Sequence, residues 1–167
     1  MADKYLRNNA GTMTEKEGLV TSAGAGSAGL IPALDAAGRL DVTMMPVGIG
    51  ADTASIQASE NLAAGDVVNI HNVGGARVRK ADASTSGKEA HGFVLAGVTS
   101  GANGTVYFEG STTGVTGLTP GVQFLSTTPG LVTATAPSGA GQVVQRVGFA
   151  TAATALNFQS NDPIVLV

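Results

Sequence analysis

The feature that most constrains this chain is a series of short strand-forming runs separated by turns. It is clearest over residues 118–149, where the runs 122–126, 131–135 and 143–149 follow one another. Pro129-Gly130 separates the first two runs, and a segment rich in proline and glycine separates the last two. Proline fixes φ near −65° and glycine accepts positive φ, so such dipeptides between alternating runs indicate hairpins. The pattern predicts an antiparallel β-meander.

The alternation along these runs also predicts which side chains share a face of the sheet. Side chains of a strand point to opposite faces in turn. In the third run Val143, Val147 and Phe149 therefore share one face, and Val144 and Arg146 take the other.

Similar runs continue through the rest of the chain from Ala54 onward. They comprise residues 55–58, 66–71, 76–80, 92–99, 105–109, 154–158 and 163–167. Short strands at a spacing of about 8–12 residues with glycine-rich turns are typical of a small barrel or sandwich. We therefore predict a mainly β protein, with a small antiparallel β-barrel or sandwich domain over residues 54–167. No long amphipathic helix is expected.

Residues 1–53 lack this regular series of strand-forming runs and are predicted to form an extended N-terminal arm. Residues 14–17 have the composition of a single helical turn that Gly18 ends, and two short apolar segments follow at 30–34 and 42–46. So many small residues cannot bury enough area to offset the ordering of about fifty residues. We expect the arm to dock on a partner through its apolar side chains. These are Leu30, Ile31, Leu34, Val42, Met44 and Met45.

Composition bears on the kind of partner. Only 13% of the residues are charged, about half the usual share, and 24 of the 167 are glycine. Such a surface costs little to desolvate and suits a subunit that neighbours cover. The net charge of −3 argues against nucleic-acid binding, which needs a basic surface.

Cellular location follows from what the sequence lacks. There is no cysteine, so disulfides and thiolate metal sites are excluded. The N-terminal stretch has no apolar segment typical of a signal peptide, and no apolar run approaches the ~20 residues of a membrane span. The expectation is a soluble protein made in the cytoplasm, without a membrane partner.

Motifs for chemistry are weak. Residues 24–29 match GxGxxG, but Pro32 follows and no helical period exists, so a turn is the better interpretation. His71 and His91 lie twenty residues apart with no clustered ligands, and no GxSxG nucleophile elbow is present. We predict no enzymatic activity, no cofactor and no metal.

Arg77, Arg79 and Lys80 form one basic cluster, in which the two arginines share a strand face. A charged, solvated strand edge that blocks unwanted pairing is the first interpretation. Docking of Arg77 and Arg79 to an acidic rim on a partner is the second.

Several strings taken together carry a resemblance to a known class of proteins. They are LAAGDVVNI (62–70), VRKADA (78–83), GFV (92–94), LTPG (118–121), QRVGFA (145–150) and PIVL (163–166). In this order they resemble tailed-bacteriophage head decoration proteins, also called capsid cement, over roughly residues 55–167. Residues 29–42 are similar to a segment of such proteins and also of phage fibre proteins.

The resemblance implies a small β-rich domain, commonly trimeric, on the outside of the expanded phage capsid. Its partners would be the major capsid protein and further copies of itself, and its function would be to bridge capsomers and stabilise the head. A tail-fibre or baseplate component is the alternative. A carbohydrate-binding module is a third hypothesis, but the aromatic content of only 4% argues against it.

Overall fold

The structure is a computed structural model that describes residues 4–45 and 50–167. Contacts divide the chain into two units, Met1–Gly50 and Ala51–Val167. Fourteen strands and two short 3₁₀ helices make up the regular structure of the described residues. The predicted mainly β class is confirmed.

The unit of residues 1–50 begins with a hairpin of β1 (Lys4–Asn9) and β2 (Thr12–Glu17). Both turn residues have positive φ, 52° at Ala10 and 90° at Gly11, as in the tight turns that match strand twist. Two 3₁₀ helices follow, Gly24–Ser27 and Val42–Met44. The helical turn predicted at 14–17 is wrong, because these residues pair with β1.

Five strands of the unit of residues 51–167 form a closed barrel. They are β3 (Thr53–Ala58), β4 (Val67–Asn72), β5 (Ala76–Lys80), β6 (Gly92–Val94) and β7 (Asn103–Tyr107). Their order is β3-β5-β4-β6-β7, and β7 pairs back with β3. All neighbours are antiparallel except β3 and β5, which run parallel. The predicted barrel is present, with one parallel pair that the sequence does not signal.

A five-stranded antiparallel sheet follows the barrel in the sequence. The remaining strands are β8 (Glu109–Thr112), β9 (Gly121–Leu125), β10 (Val132–Thr133), β11 (Val143–Val144), β12 (Arg146–Ala152), β13 (Ala155–Gln159) and β14 (Ile164–Val165). The sheet order is β10-β9-β12-β13-β8, and β11 pairs with β14. The pairings are antiparallel, as predicted, but the meander order is wrong because β9 lies between β10 and β12. The third predicted run is split at Gln145, and its two parts pair with different strands.

A bulge changes the faces predicted for this run. The register between β12 and β9 shifts between Arg146 and Gly148, and Gly148 has a φ of 132°. An extra residue in one strand reverses the side-chain alternation beyond it. Val147 is therefore buried, whereas Phe149 is 38% exposed.

Two apolar clusters form the core. The first consists mainly of barrel residues, namely Ala58, Leu62, Val68, Val78, Val94 and Val106. The second joins barrel and sheet through Val67, Ala81, Ala83, Ala90, Phe93, Leu125, Val143, Val147 and Phe158. The ring of Phe93 is 5.5 Å from the rings of both Tyr107 and Phe158. Because each buried side chain of this size contributes about 1.5–3 kcal/mol, these contacts hold the two sheets of the unit together.

Candidate functional site

The predicted docking residues of the arm lie on the surface of the unit of residues 1–50. Leu34 is 60% exposed and Val42 is 69% exposed, and Ile31 and Met45 are exposed as well. The remaining two, Leu30 and Met44, are half-buried. Pro46 lies outside the described residues. None of the described residues of this unit is buried, so it has no core of its own.

Hydrogen bonds hold these apolar segments in place. The amide of Leu19 donates to the carbonyl of Ile31 at 2.9 Å, and the amide of Ala33 donates to the carbonyl of Leu19 at 2.8 Å. The carboxylate of Asp35 accepts the amide of Arg39 at 2.8 Å, which closes the next turn. An open groove of about 650 Å³ runs along this region. Its apolar lining includes Val20, Ile31, Pro32, Ala33 and Leu34.

Asp41 orders the second apolar segment. Its carboxylate accepts the amide of Thr43 at 2.9 Å at the start of the 3₁₀ helix Val42–Met44. Hydrogen bonds from the hydroxyl and the amide of Thr43 lower the pKa of Asp41 below its usual value. The short helix thereby presents Val42 to the surface on a fixed backbone.

The basic cluster belongs to a strand of the barrel that has a neighbouring strand on each side, so it does not lie at a sheet edge. β5 has β3 on one side and β4 on the other, so the predicted solvated strand edge at Arg77 and Arg79 is wrong. Arg79 is half-buried, and its Nε and Nη2 donate to Asn69 Oδ1 at 3.0 Å and to the Gly87 carbonyl at 2.7 Å. Arg77 is also half-buried. Docking of these arginines to an acidic partner stays a prediction.

Two lysines, Lys80 of this cluster and Lys88, neutralise buried carboxylates. Lys88 Nζ lies 2.9 Å from Asp82, whose side chain is 4% exposed, and Lys80 Nζ lies 3.3 Å from Asp66. Burial raises the pKa of Asp82. The hydrogen bonds from Ser84 and Lys88 and the charge of Lys88 lower this pKa by more than burial raises it, so it lies below its usual value. Because an unpaired buried carboxylate would be costly, these lysines serve the fold.

His71 makes a contact that the sequence does not signal. Its Nε2 lies 2.9 Å from Ser59 Oγ, which also lies 3.1 Å from the Val78 carbonyl. The single hydroxyl proton of Ser59 satisfies only one of these two acceptors. When Ser59 donates to Val78, the imidazole donates to Ser59 and is no base for it. Among the described residues no carboxylate is hydrogen-bonded to His71, so the third member of a triad is not in place.

The environment of His71 predicts a pH-dependent stability. Burial and the charge of Arg79 lower its pKa below 6.5, although Glu60 opposes them. The unfolded chain then binds a proton before the folded chain does, so the free energy of unfolding should fall as pH drops through 6.5 towards the folded-state pKa. Urea unfolding at a series of pH values should show this fall, and His71→Gln should reduce its slope. An unchanged slope in the variant would contradict the assignment.

The structure also places the other motifs that the sequence analysis considered. Within residues 4–45 and 50–167, no three His, Asp or Glu side chains are close enough together to hold a metal ion. The GxGxxG match begins with the 3₁₀ helix Gly24–Ser27, as expected for a turn. In the part of the chain that the structure describes, no helix has the length and apolar character needed to cross a membrane.

Comparison of the chain with models of protein families, with curated proteins and with solved structures finds no match in any of the three.

Proposed function

We propose that this protein is a structural component of a bacteriophage virion, which binds the outer surface of the capsid as a trimer and bridges neighbouring capsomers. It is made in the cytoplasm of the bacterial host and has no catalytic role. The observation that carries the proposal is the unit of residues 1–50, which displays large apolar side chains and buries none of its described residues.

The energetics of that unit call for a partner. Ordering the backbone costs about 1–2 kcal/mol per residue, and apolar burial is the main term that offsets this cost. Since the described part of the unit has no core, the missing burial has to come from another surface. Ile31, Leu34 and Val42 are the most exposed of the predicted docking residues.

An assembled capsid supplies such a surface in many copies. A protein that binds the assembled lattice and not its separated parts stabilises the lattice by mass action. Three copies around a symmetry axis bind together. The trimer therefore stays bound even when each single contact is weak. The low charge content and the resemblance in residues 55–167 support the same role.

Substitution of the docking residues tests the proposal. The double variant Ile31→Ser/Leu34→Ser should lower the affinity for capsids by about tenfold or more, because each lost apolar contact removes burial. Deletion of residues 2–46 should reduce occupancy further. Occupancy is measured by sedimenting capsids that lack the protein with added purified variants and quantifying the bound chain.

Val73→Ser is the matched control, because Val73 is 60% exposed and lies in the unit of residues 51–167. Its occupancy should equal that of the unchanged protein. Undiminished occupancy of both the double variant and the deletion would refute the role of the arm.

A tail-fibre or baseplate component is the second candidate, favoured by the similarity of residues 29–42 to fibre segments. Copy number separates the two. Hundreds of copies per virion support decoration of the head, whereas a few dozen at most support a place in the tail.

A further inference from the structure

A groove of about 490 Å³ opens on the unit of residues 51–167. One side is the outward face of the five-stranded sheet, and the other is the segment that leads into β3. Its lining consists of Ala51, Asp52, Glu109, Gly110, Phe149, Asn157, Phe158 and Gln159. The groove contains none of the predicted docking residues, and nothing in the proposed function uses it.

Backbone geometry exposes the aromatic ring in this groove. The bulge before Gly148 turns Phe149 outward, where it pairs across the sheet with Asn157. Gly110 also lines the groove and has a φ of 118°, and an added Cβ there would meet no atom of the described residues within 4 Å. The groove is therefore open at this position. The Asp52 carbonyl accepts the Phe108 amide at 2.9 Å, which fixes the opposite wall.

The polar side chains that line the groove are two carboxylates and two amides. Asp52, Glu109, Asn157 and Gln159 are all planar carboxylates or amides, and Gln159 and Glu109 are cross-strand partners. Neither carboxylate takes part in an ion pair among the described residues, and the lining contains no cation. Both are therefore available as acceptors.

This combination matches the chemistry of a sugar ring. A pyranose has an apolar C–H face that stacks on an aromatic ring, and hydroxyl groups at its edge that both donate and accept. Carboxylates accept only, whereas amides do both. The aromatic ring and the two carboxylates would be sufficient to bind a cation. The two amides add hydrogen-bond donors, which a cation does not need and a polyhydroxylated ligand does, so they favour the latter. We propose that this groove binds a neutral pyranose unit of a glycan.

Charge sets the specificity of the groove. A uronic or sialic acid would place its carboxylate near Asp52 and Glu109, and this like-charge contact disfavours binding. The site therefore selects neutral over acidic sugars. The low aromatic content of the chain is no obstacle, because a single exposed ring provides the stacking surface. With one ring in an open groove, binding of a single sugar is weak.

Nuclear magnetic resonance of the isotope-labelled full chain tests the proposal. The probes are maltose, cellobiose, lactose and mannobiose, each titrated to tens of millimolar. At least one should give saturable shifts at the side-chain amides of Asn157 and Gln159 and at the backbone amide of Phe149. Phe149→Ala should weaken binding by about tenfold or more, because it removes the stacking surface.

Val122→Ala is the matched control, since Val122 pairs with Phe149 on the same face but does not line the groove. It should leave the affinity unchanged. A preserved spectrum away from the groove shows that Phe149→Ala remains folded. A double variant Asp52→Asn/Glu109→Gln should gain binding of methyl glucuronide, which the unchanged protein rejects.

Four outcomes would overturn the inference. They are the absence of saturable shifts with all four disaccharides, shifts that map outside the groove, equal affinity of Phe149→Ala and the unchanged protein, and tighter binding of spermidine than of any sugar. The last outcome would assign the groove to cations instead. None of these outcomes bears on the proposed capsid role, which capsid sedimentation tests separately.

Discussion

Gly148→Ala should destabilise the unit of residues 51–167 by about 3 kcal/mol or more. Gly148 has a φ of 132°, a conformation that residues with a side chain rarely adopt. An added Cβ would also overlap the carbonyl of Asn157 on the neighbouring strand β13. The strands would have to separate at the bulge, so the loss combines backbone strain with broken pairing. Urea unfolding followed by circular dichroism measures the free energy of unfolding.

Gly121→Ala is the matched control for that variant. Gly121 has a similar φ of 119° and lies on β9, next to β12, but an added Cβ there would meet no atom of the described residues within 4 Å. It should cost about 1 kcal/mol from backbone strain alone. Equal losses in the two variants would show that the contact with Asn157 contributes nothing.

Gln145→Leu should cost about 2–4 kcal/mol. The side chain of Gln145 is buried, and it accepts the Ala90 amide at 2.7 Å and donates to the Ala90 carbonyl at 2.9 Å. It also lies 3.0 Å from Ser160 Oγ and 3.1 Å from the Asn161 carbonyl. Leucine has a similar volume but leaves the Ala90 amide and the Asn161 carbonyl without a partner among the described residues. The Ala90 carbonyl keeps the hydroxyl of Ser160 at 2.9 Å. The loss should appear as a lower urea midpoint.

Gln123→Leu provides the contrast, because Gln123 is equally buried. Its Nε2 donates to the Thr119 carbonyl at 2.7 Å, while its Oε1 has no hydrogen-bond partner among the described residues. The leucine variant removes one bond and also removes an unsatisfied acceptor, so these two effects oppose each other. A change below about 1 kcal/mol is expected. A loss as large as that of Gln145→Leu would mean that volume, not hydrogen bonding, dominates at both sites.

The mainly β fold could be predicted because alternation and turn residues are local signals. The run at 76–80 coincides with β5, and the runs at 55–58 and 122–126 fall within a residue or two of β3 and β9. Pairing over long distances was not predictable in the same way. No turn joins the parallel neighbours β3 and β5, so nothing local indicates that they pair. Arg77 and Arg79 were therefore predicted to lie at a strand edge that the barrel does not have.

Two local features were missed for different reasons. The hairpin of β1 and β2 is polar on most positions, so it lacks the apolar alternation by which strands are recognised. The bulge at Gly148 reverses the face of Phe149, and a single glycine within a strand does not say where the register shifts. The exposure of the docking residues Ile31 and Leu34, in contrast, follows from a segment too poor in apolar residues to bury them.

The strand order has a consequence for biosynthesis. Among the described strands β8 pairs only with β13, whose residues lie more than forty positions later in the sequence, and the barrel closes only when β7 pairs with β3. A ribosome therefore releases most of the polypeptide before the edge of the sheet can be completed. Until then the early strands emerge with open hydrogen-bonding groups, and the many glycines and few bulky residues around them limit the surface on which nascent chains would aggregate.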